Sequence, residues 1–296
     1  MGEIGRKLAG MFDDCAKRFG VYRKGGPHLR EHPDVKNIPQ LVQEGHDPVH
    51  AAYVHTQNLV SFLSEKLTTL DELDPFRDLY EPAEEEYMPG WPPMSPLSVS
   101  YFTTWGLLDL RFGKNLETIA TCILDASGPL GINPNDVELI RLFQRTRMGI
   151  YEHQGRQGGR VRLRELITGD EFDVYVPSGY QGEKSELWYT RLCPPPHDRT
   201  DYHVAFTSPY VLGECTKEDW IAYLRKSMME MKGDSGDREA LNALMKYGRE
   251  TNSWNEYIFL SYHHHQDNAI FLAGLPDVKG SLPHGHLAGG TIAGRR

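Results

Sequence analysis

The chain of 296 residues is 39% hydrophobic, 25% charged and 10% aromatic, the balance of a globular protein with one large domain or two modest ones. Its net charge of −9 argues against a protein that coats nucleic acid, although a local basic patch is compatible with it. Four scattered cysteines (Cys15, Cys122, Cys193, Cys215) with no CxxC pair exclude a cysteine zinc ribbon and a disulfide-dense scaffold, and no run approaches the ~18 apolar residues of a membrane span.

Apolar residues at steps of three and four (Ile4, Leu8, Met11, Phe12, Cys15, Phe19) predict a first helix over 3–19, stopped by Gly20. The opening MGEIGRKLAG is broken by acid and base, unlike a signal peptide, which predicts a cytoplasmic location; Arg6 fills the Ser/Thr position of an N-myristoylation signal. Residues 21–45 read as loop with a short helical piece near 38–44. Asp47 as N-cap and Pro48 in the first turn open a helix whose apolar face is Ala51, Val54, Leu59, Phe62, Leu63 and Leu67. Residues 71–86 then set eight acids against one base, Arg77, and Pro89, Pro92, Pro93 and Pro96 follow. The segment 71–96 is predicted to be an irregular acidic, Pro-rich connection running extended over the surface.

Helical spacing returns at 97–112 (Tyr101, Phe102, Trp105, Leu108), at 115–126, and after Asn133-Pro134-Asn135 at about 135–148. The period then switches to two. Val161, Leu163 and Glu165 alternate with Arg162, Arg164 and Leu166; after the turn Thr168-Gly169-Asp170, Phe172, Val174 and Val176 alternate with Asp173 and Tyr175. This predicts a hairpin with one buried face. Further strands are expected at 187–192, 202–206 and around Val211. Thr216 with Asp219 three residues on predicts a capped helix, and 237–250 a second one. Two strands, 257–262 and 269–273, are predicted to flank His263–Asn268, and 284–296 to form a flexible tail.

Several pieces of the central segment, about 101–212, form a family-like pattern: Trp105-Gly-Leu-Leu-Asp109, Arg145-Thr-Arg-Met-Gly149-Ile-Tyr151-Glu152, Val161-Arg-Leu-Arg-Glu-Leu-Ile-Thr-Gly169-Asp-Glu-Phe172 and Glu186-Leu-Trp-Tyr-Thr-Arg191-Leu-Cys-Pro194. Together they cover about a third of the chain and resemble a group of bacterial proteins, many of which end in a small zinc-binding SEC-C motif. The resemblance implies a helical segment feeding a small barrel-like β domain and implies no reaction. The Cys-x-Cys pairs of a SEC-C tail are missing here, so zinc binding by that route is not implied.

Candidate sites come from three patterns. The hairpin face carrying Arg162 and Arg164, near Arg156, Arg160 and Arg191, is a candidate phosphate contact, opposed by Glu165, Asp170, Glu171 and Asp173, which would make it an ordinary salt-bridged sheet face. The loop Ser178-Gly179-Tyr180-Gln181-Gly182 has the look of a binding loop with an aromatic tip, Tyr180 and Gln181, or of a plain hairpin connection. Thirteen histidines supply two candidate divalent-metal sites. His46 and His50 stand at i, i+4, next to His55. His263, His265 and Asp267 stand in strand register, with His284 and His286 downstream. The competing readings are a polar helix start and a tolerant hairpin tip. There is no GxSxG, Walker or GxGxxG motif.

The expectation is therefore an α+β protein. A helical region, 1–150, precedes a β-rich module, 151–283, that begins as a small antiparallel barrel-like or sheet unit and ends in helices and a hairpin. The favoured function is a non-enzymatic binding or adaptor protein for a protein partner, with nucleic acid as another possible partner and no membrane contact. The alternatives are a metal-dependent hydrolase using the His/Asp clusters and a nucleic-acid-linked regulator or defence component. No cofactor is predicted other than a divalent metal at those clusters.

Overall fold

The computed structural model describes residues 1–19, 35–88, 97–196, 200–231 and 236–276. The chain forms two compact units and passes between them more than once: residues 1–84, 103–146 and 195–199 make one, and residues 85–102, 147–194 and 200–296 the other. The architecture is α+β, and no helix of the described residues is long and apolar enough to cross a membrane.

The first unit is helical. Helix α1 (Glu3–Phe19) packs on α6 (Ile119–Asp125), and α3 (Pro48–Leu67) packs on α2 (Ile38–Gln43) and α7 (Pro134–Arg145). Local chemistry starts α2 and α3 where the sequence predicts. Asp47 accepts from the N–H groups of Val49 and His50 with Pro48 at the first position, and Asn37 and Gln40 form a reciprocal capping box for α2. Leu8, Tyr53, Phe112 and Phe143 are among the unit's fully buried side chains, and the Tyr53 and Phe143 rings lie 5.4 Å apart.

The start of α1 is docked on carboxylates from a distant stretch of chain. The Glu117 side chain accepts from the N–H of Ile4 (3.1 Å) and of Gly5 (2.9 Å), and Asp125 accepts from Gly2 N–H (2.8 Å). These acids satisfy donors that a helix start leaves open and sit at the positive end of its dipole. Gly2 and Gly5 make the approach possible, since a Cβ at residue 2 would lie 1.9 Å from Glu117 Oε1 and one at residue 5 would lie 2.5 Å from Asp125 Oδ2. Glu117→Ala is therefore expected to cost about 1–3 kcal/mol. It should speed amide hydrogen exchange in α1 while leaving exchange in α3 and α7 unchanged; uniform acceleration would contradict the docking role.

The acidic segment corrects an expectation. Residues Asp71–Leu73 form a 3₁₀ turn and Asp74–Tyr87 a regular helix, α4, rather than an irregular connection. Leu73, Phe76, Ala83 and Tyr87 are buried and Tyr80 half-buried, at steps of three and four, while the acids face water. The run 89–96 lies outside the described residues. Helix α5 (Leu97–Leu108) follows.

The second unit is built on a closed five-stranded barrel: β1 (Met148–Gln157), β2 (Arg160–Glu165), β3 (Glu171–Tyr175), β4 (Leu187–Cys193) and β5 (His203–Ala205). The order is β1-β2-β3-β5-β4, and β4 returns to β1 through pairs such as Tyr151 with Trp188. The sheet is mixed rather than antiparallel, because β3 pairs β5 in parallel. The alternation at 161–176 places residues as predicted: Val161, Leu163 and Val174 are buried inside with Tyr151, Trp188 and Leu192. Beyond β4 the sheet continues through β6 (Tyr210–Gly213), β8 (Ile270–Ala273) and β7 (Tyr262–His265). β6 and β8 are parallel, and such a pair needs a long crossover. That crossover carries α8 (Lys217–Met231), α9 (Asp237–Tyr247) and α10 (Ser253–Ser261), with Thr216 and Asp219 capping α8 reciprocally as predicted.

Of the strand predicted at 257–262, residues 257–261 are the end of α10 instead, and β7 begins at Tyr262. The buried residues of α10, Trp254, Tyr257, Ile258 and Ser261, follow helical spacing, which overrides the strand preference of Tyr, Ile and Phe. β1 was not predicted as a strand at all, since residues to 148 read as helix.

Candidate functional site

The exposed face of the barrel is the β2–β3 ladder. Arg160, Arg162 and Arg164 point outward from β2, with Arg162 opposite Asp173 and Arg164 opposite Glu171. Arg162 donates to Glu171 through Nε (3.1 Å) and Nη2 (2.8 Å), and reaches Asp173 at 3.5 Å. Arg160 donates to Asp201 (3.3 Å) and lies 3.9 Å from the centre of the Tyr202 ring. These pairs are solvent-screened and add little to stability, but they fix the guanidinium planes on a rigid surface.

Arg191 does not belong to this face. It is fully buried, on the side of β4 that carries Tyr189 and Cys193, away from Trp188 and Leu192. All seven residues of β4 are buried, so the strand covers core on both faces and its arginine cannot meet a surface ligand. Cys193, the last residue of β4, is buried as well.

Loop 176–186 folds its aromatic tip inward. The Tyr180 ring lies 5.5 Å from Trp188 and 6.3 Å from Phe271, and its hydroxyl donates to Glu186 (3.2 Å), which also accepts from Trp188 Nε1 (3.0 Å). Burial and the Glu186 charge push the Tyr180 phenol well above its ordinary range. Gln181 remains exposed at the side chain, while its carbonyl is held by buried His153. His153 Nδ1 accepts from Gly155 N–H (3.1 Å), which leaves Nε2–H to donate to Gln181 O (3.0 Å). Thus the sequence located the loop, but His153, Glu186 and Trp188, which hold it, were missed. The Glu186-x-Trp188 spacing, two residues on one side of a strand, was the available signal.

The histidines do not converge. His264 stacks on Phe271 at 4.4 Å, His265 Nδ1 meets the Tyr262 hydroxyl, and a bulge between Tyr262 and His264 breaks the alternation that would have set His263 and His265 side by side. His46 and His50 do approach, Nδ1 to Nδ1 at 3.5 Å, but Asp47 is occupied in capping α3. His55 turns elsewhere, to Lys36 O (2.9 Å) and Asp136 (3.4 Å). Among the described residues no group of three His, Cys, Asp or Glu side chains is arranged to hold a metal ion, which includes His263, His265 and Asp267 and the pair His46 and His50. His284 and His286 lie outside the described residues. Burial raises the Cys122 and Cys215 thiols above their ordinary range, the opposite of an activated nucleophile.

Burial lowers the pKa of His153 and His203, and burial together with repulsion from His46 lowers that of His50 to about 4. A histidine whose pKa is lower folded than unfolded binds fewer protons in the native state. Its contribution is complete above the unfolded value of ~6.5 and is lost as the pH falls toward the folded value. Thermal unfolding followed by circular dichroism should give a steady Tm from pH 8 to 7 and a fall from about pH 6.5 to 4, with His50 alone worth about 3 kcal/mol. A Tm flat to pH 4.5 would contradict this.

Comparison with family models, with curated proteins and with solved structures returns no match. The strand order β1-β2-β3-β5-β4-β1, with β3 and β5 parallel, closes the barrel, and loop 176–186 joins β3 to β4. The class defined by fold and surface is therefore an α+β protein with a closed five-stranded mixed barrel and an exposed charge ladder.

Proposed function

We propose that this chain is a cytoplasmic binding protein without a reaction of its own, whose outer β2–β3 face and adjoining loop 176–186 meet a protein partner. The observation that carries the reading is the ladder itself, three arginines and two acids in fixed register on one exposed, rigid sheet face. Such a pattern selects a partner by complementary charge, and its internal pairing weakens the field that a polyphosphate would need. Charge reversal tests it. Capture of a partner by the tagged protein should be lost with Arg162→Glu and Arg164→Glu, and kept when exposed Arg225 on α8 is reversed. Equal capture by all three variants would overturn the reading.

A second reading, contact with single-stranded nucleic acid, is favoured by the strand order, since OB barrels in other proteins bind oligonucleotides through this face. Connectivity alone does not decide function. Fluorescence anisotropy with a labelled single-stranded oligonucleotide separates the two: affinity falling steeply with salt supports nucleic acid, and no binding at low salt removes it. The resemblance of residues 101–212 to the SEC-C-containing group adds no reaction to either reading.

A further inference from the structure

His153 holds loop 176–186 to the barrel at three points. Its N–H donates to Glu186 O (2.9 Å) and its carbonyl accepts from Ser185 N–H (2.8 Å). The third tie is the buried side chain, whose Nδ1 accepts from Gly155 N–H (3.1 Å) while Nε2–H donates to Gln181 O (3.0 Å). That pair of bonds requires a neutral ring with its one proton on Nε2. A bulge between His153 and Gly155, with Gly155 at φ +129°, is the local geometry that returns the Gly155 N–H to the ring two residues back. The segment so held is strained: Ser185 sits at φ +74°, where a residue with a side chain stays only when its surroundings hold it. The Tyr180 ring rests on Trp188 and Phe271, and its hydroxyl shares Glu186 with Trp188 Nε1. The charges that act on the His153 ring are Glu186 of the loop, which favours an imidazolium, and Arg156 of β1, which opposes it; Leu163 of β2 and Trp188 of β4 carry none.

We propose that His153 is a proton-operated latch, in which one proton taken from water onto Nδ1 releases Gln181, opens loop 176–186 and frees the Tyr180 ring. Protonated Nδ1 turns from acceptor to donor, so the Gly155 N–H then faces another N–H. The imidazolium also stands in a buried place beside Trp188, a cost that ends when the loop lifts and water reaches the ring. Glu186 is the counter-charge, and an imidazolium turned to it abandons the Gln181 carbonyl and competes with the Tyr180 hydroxyl. The sign follows from burial: the closed loop depresses the His153 pKa and the open loop restores it. Closure is therefore complete above the ordinary histidine value of ~6.5 and is lost as the pH falls toward the closed-state value. Opening needs no partner, so it is independent of the binding role proposed for the β2–β3 face.

NMR of the full chain, titrated from about pH 7.5 to about 4.5, tests this. The His153 imidazole and the amides of Gly155, Gly182 and Ser185 should titrate with one midpoint. Overhauser contacts between the Tyr180 and Trp188 rings should vanish over the same range and return on neutralisation, while those between Trp220 and Tyr257 persist. Glu186→Gln removes the counter-charge and is expected to move the midpoint down by about one pH unit, and His50→Asn to leave it in place. His153→Gln keeps a side-chain donor for the Gln181 carbonyl but takes up no proton, so its Tyr180–Trp188 contacts should last to the lowest pH. A His153 ring that stays neutral throughout, or one that titrates with the Tyr180–Trp188 contacts intact, would overturn the proposal. So would loss of those contacts at the same pH in His153→Gln, an unmoved midpoint in Glu186→Gln, or their loss only together with the Trp220–Tyr257 contacts.

Discussion

Trp188→Ala is expected to cost about 3–5 kcal/mol and to loosen loop 176–186 together with the barrel. Trp188 is fully buried in β4, pairs with Tyr151 of β1 across the line where the barrel closes, and donates Nε1 to Glu186. Its ring also lies 5.3 Å from His153 and 5.5 Å from Tyr180. Truncation leaves a cavity where strand closure and loop anchoring meet, and frees a Glu186 carboxylate that then retains the Tyr180 hydroxyl as its one remaining partner from this cluster. Urea unfolding should show the loss, and amide exchange should rise first in 176–186. Trp188→Phe keeps most of the volume and loses the hydrogen bond, so about 1–2 kcal/mol is expected. A cost below about 1 kcal/mol for the alanine variant would mean that this residue does not close the barrel.

Glu165→Ala is expected to cost a similar amount, about 3–5 kcal/mol, through a different cause. Glu165 is buried at the end of β2 and accepts from Arg147 Nη1 (2.8 Å) and Thr168 Oγ1 (2.8 Å). Arg147 also donates to Asn242 of α9 (2.7 Å) and to its neighbour's carbonyl, Met148 O (2.9 Å). Removal of the carboxylate leaves a guanidinium largely shielded from water without its counter-charge, which costs more than the pair itself contributes. The double variant Arg147→Met with Glu165→Leu should therefore recover most of the loss, giving a coupling energy of about 1–3 kcal/mol in a double-mutant cycle. Additive losses would show that the two side chains act independently.

Much of this fold was legible where a segment buries one face. The alternation at 161–176 located β2 and β3 and their outward arginines, and Asp47, Asn133 and Thr216 marked helix starts by the chemistry of the cap. Legibility failed where two signals competed. In 71–87 the density of acids concealed the Leu73, Phe76, Tyr80, Ala83, Tyr87 seam, because charge was weighed over period. The first four residues of β1 are buried in succession and show no alternation; β4 is predicted as a strand, but all seven of its residues are buried, so nothing in its pattern separates the inward Arg191 from a surface arginine. Of the candidate sites, the ladder residues Arg162 and Arg164 stand on the surface as expected, whereas Tyr180 is tied to Glu186 and Trp188. The histidine patterns relied on strand and helix spacing alone, and a single bulge in β7 and a single cap at Asp47 were enough to undo them.

The binding role of the β2–β3 face is tested most directly by a photo-crosslinking side chain placed at position 164, with a control at position 225 on α8. One dominant protein adduct is expected from position 164 in cells, absent from position 225, and abolished when Arg162→Glu is added. Equal labelling from both positions, an adduct unaffected by Arg162→Glu, or labelling of nucleic acid alone would contradict it.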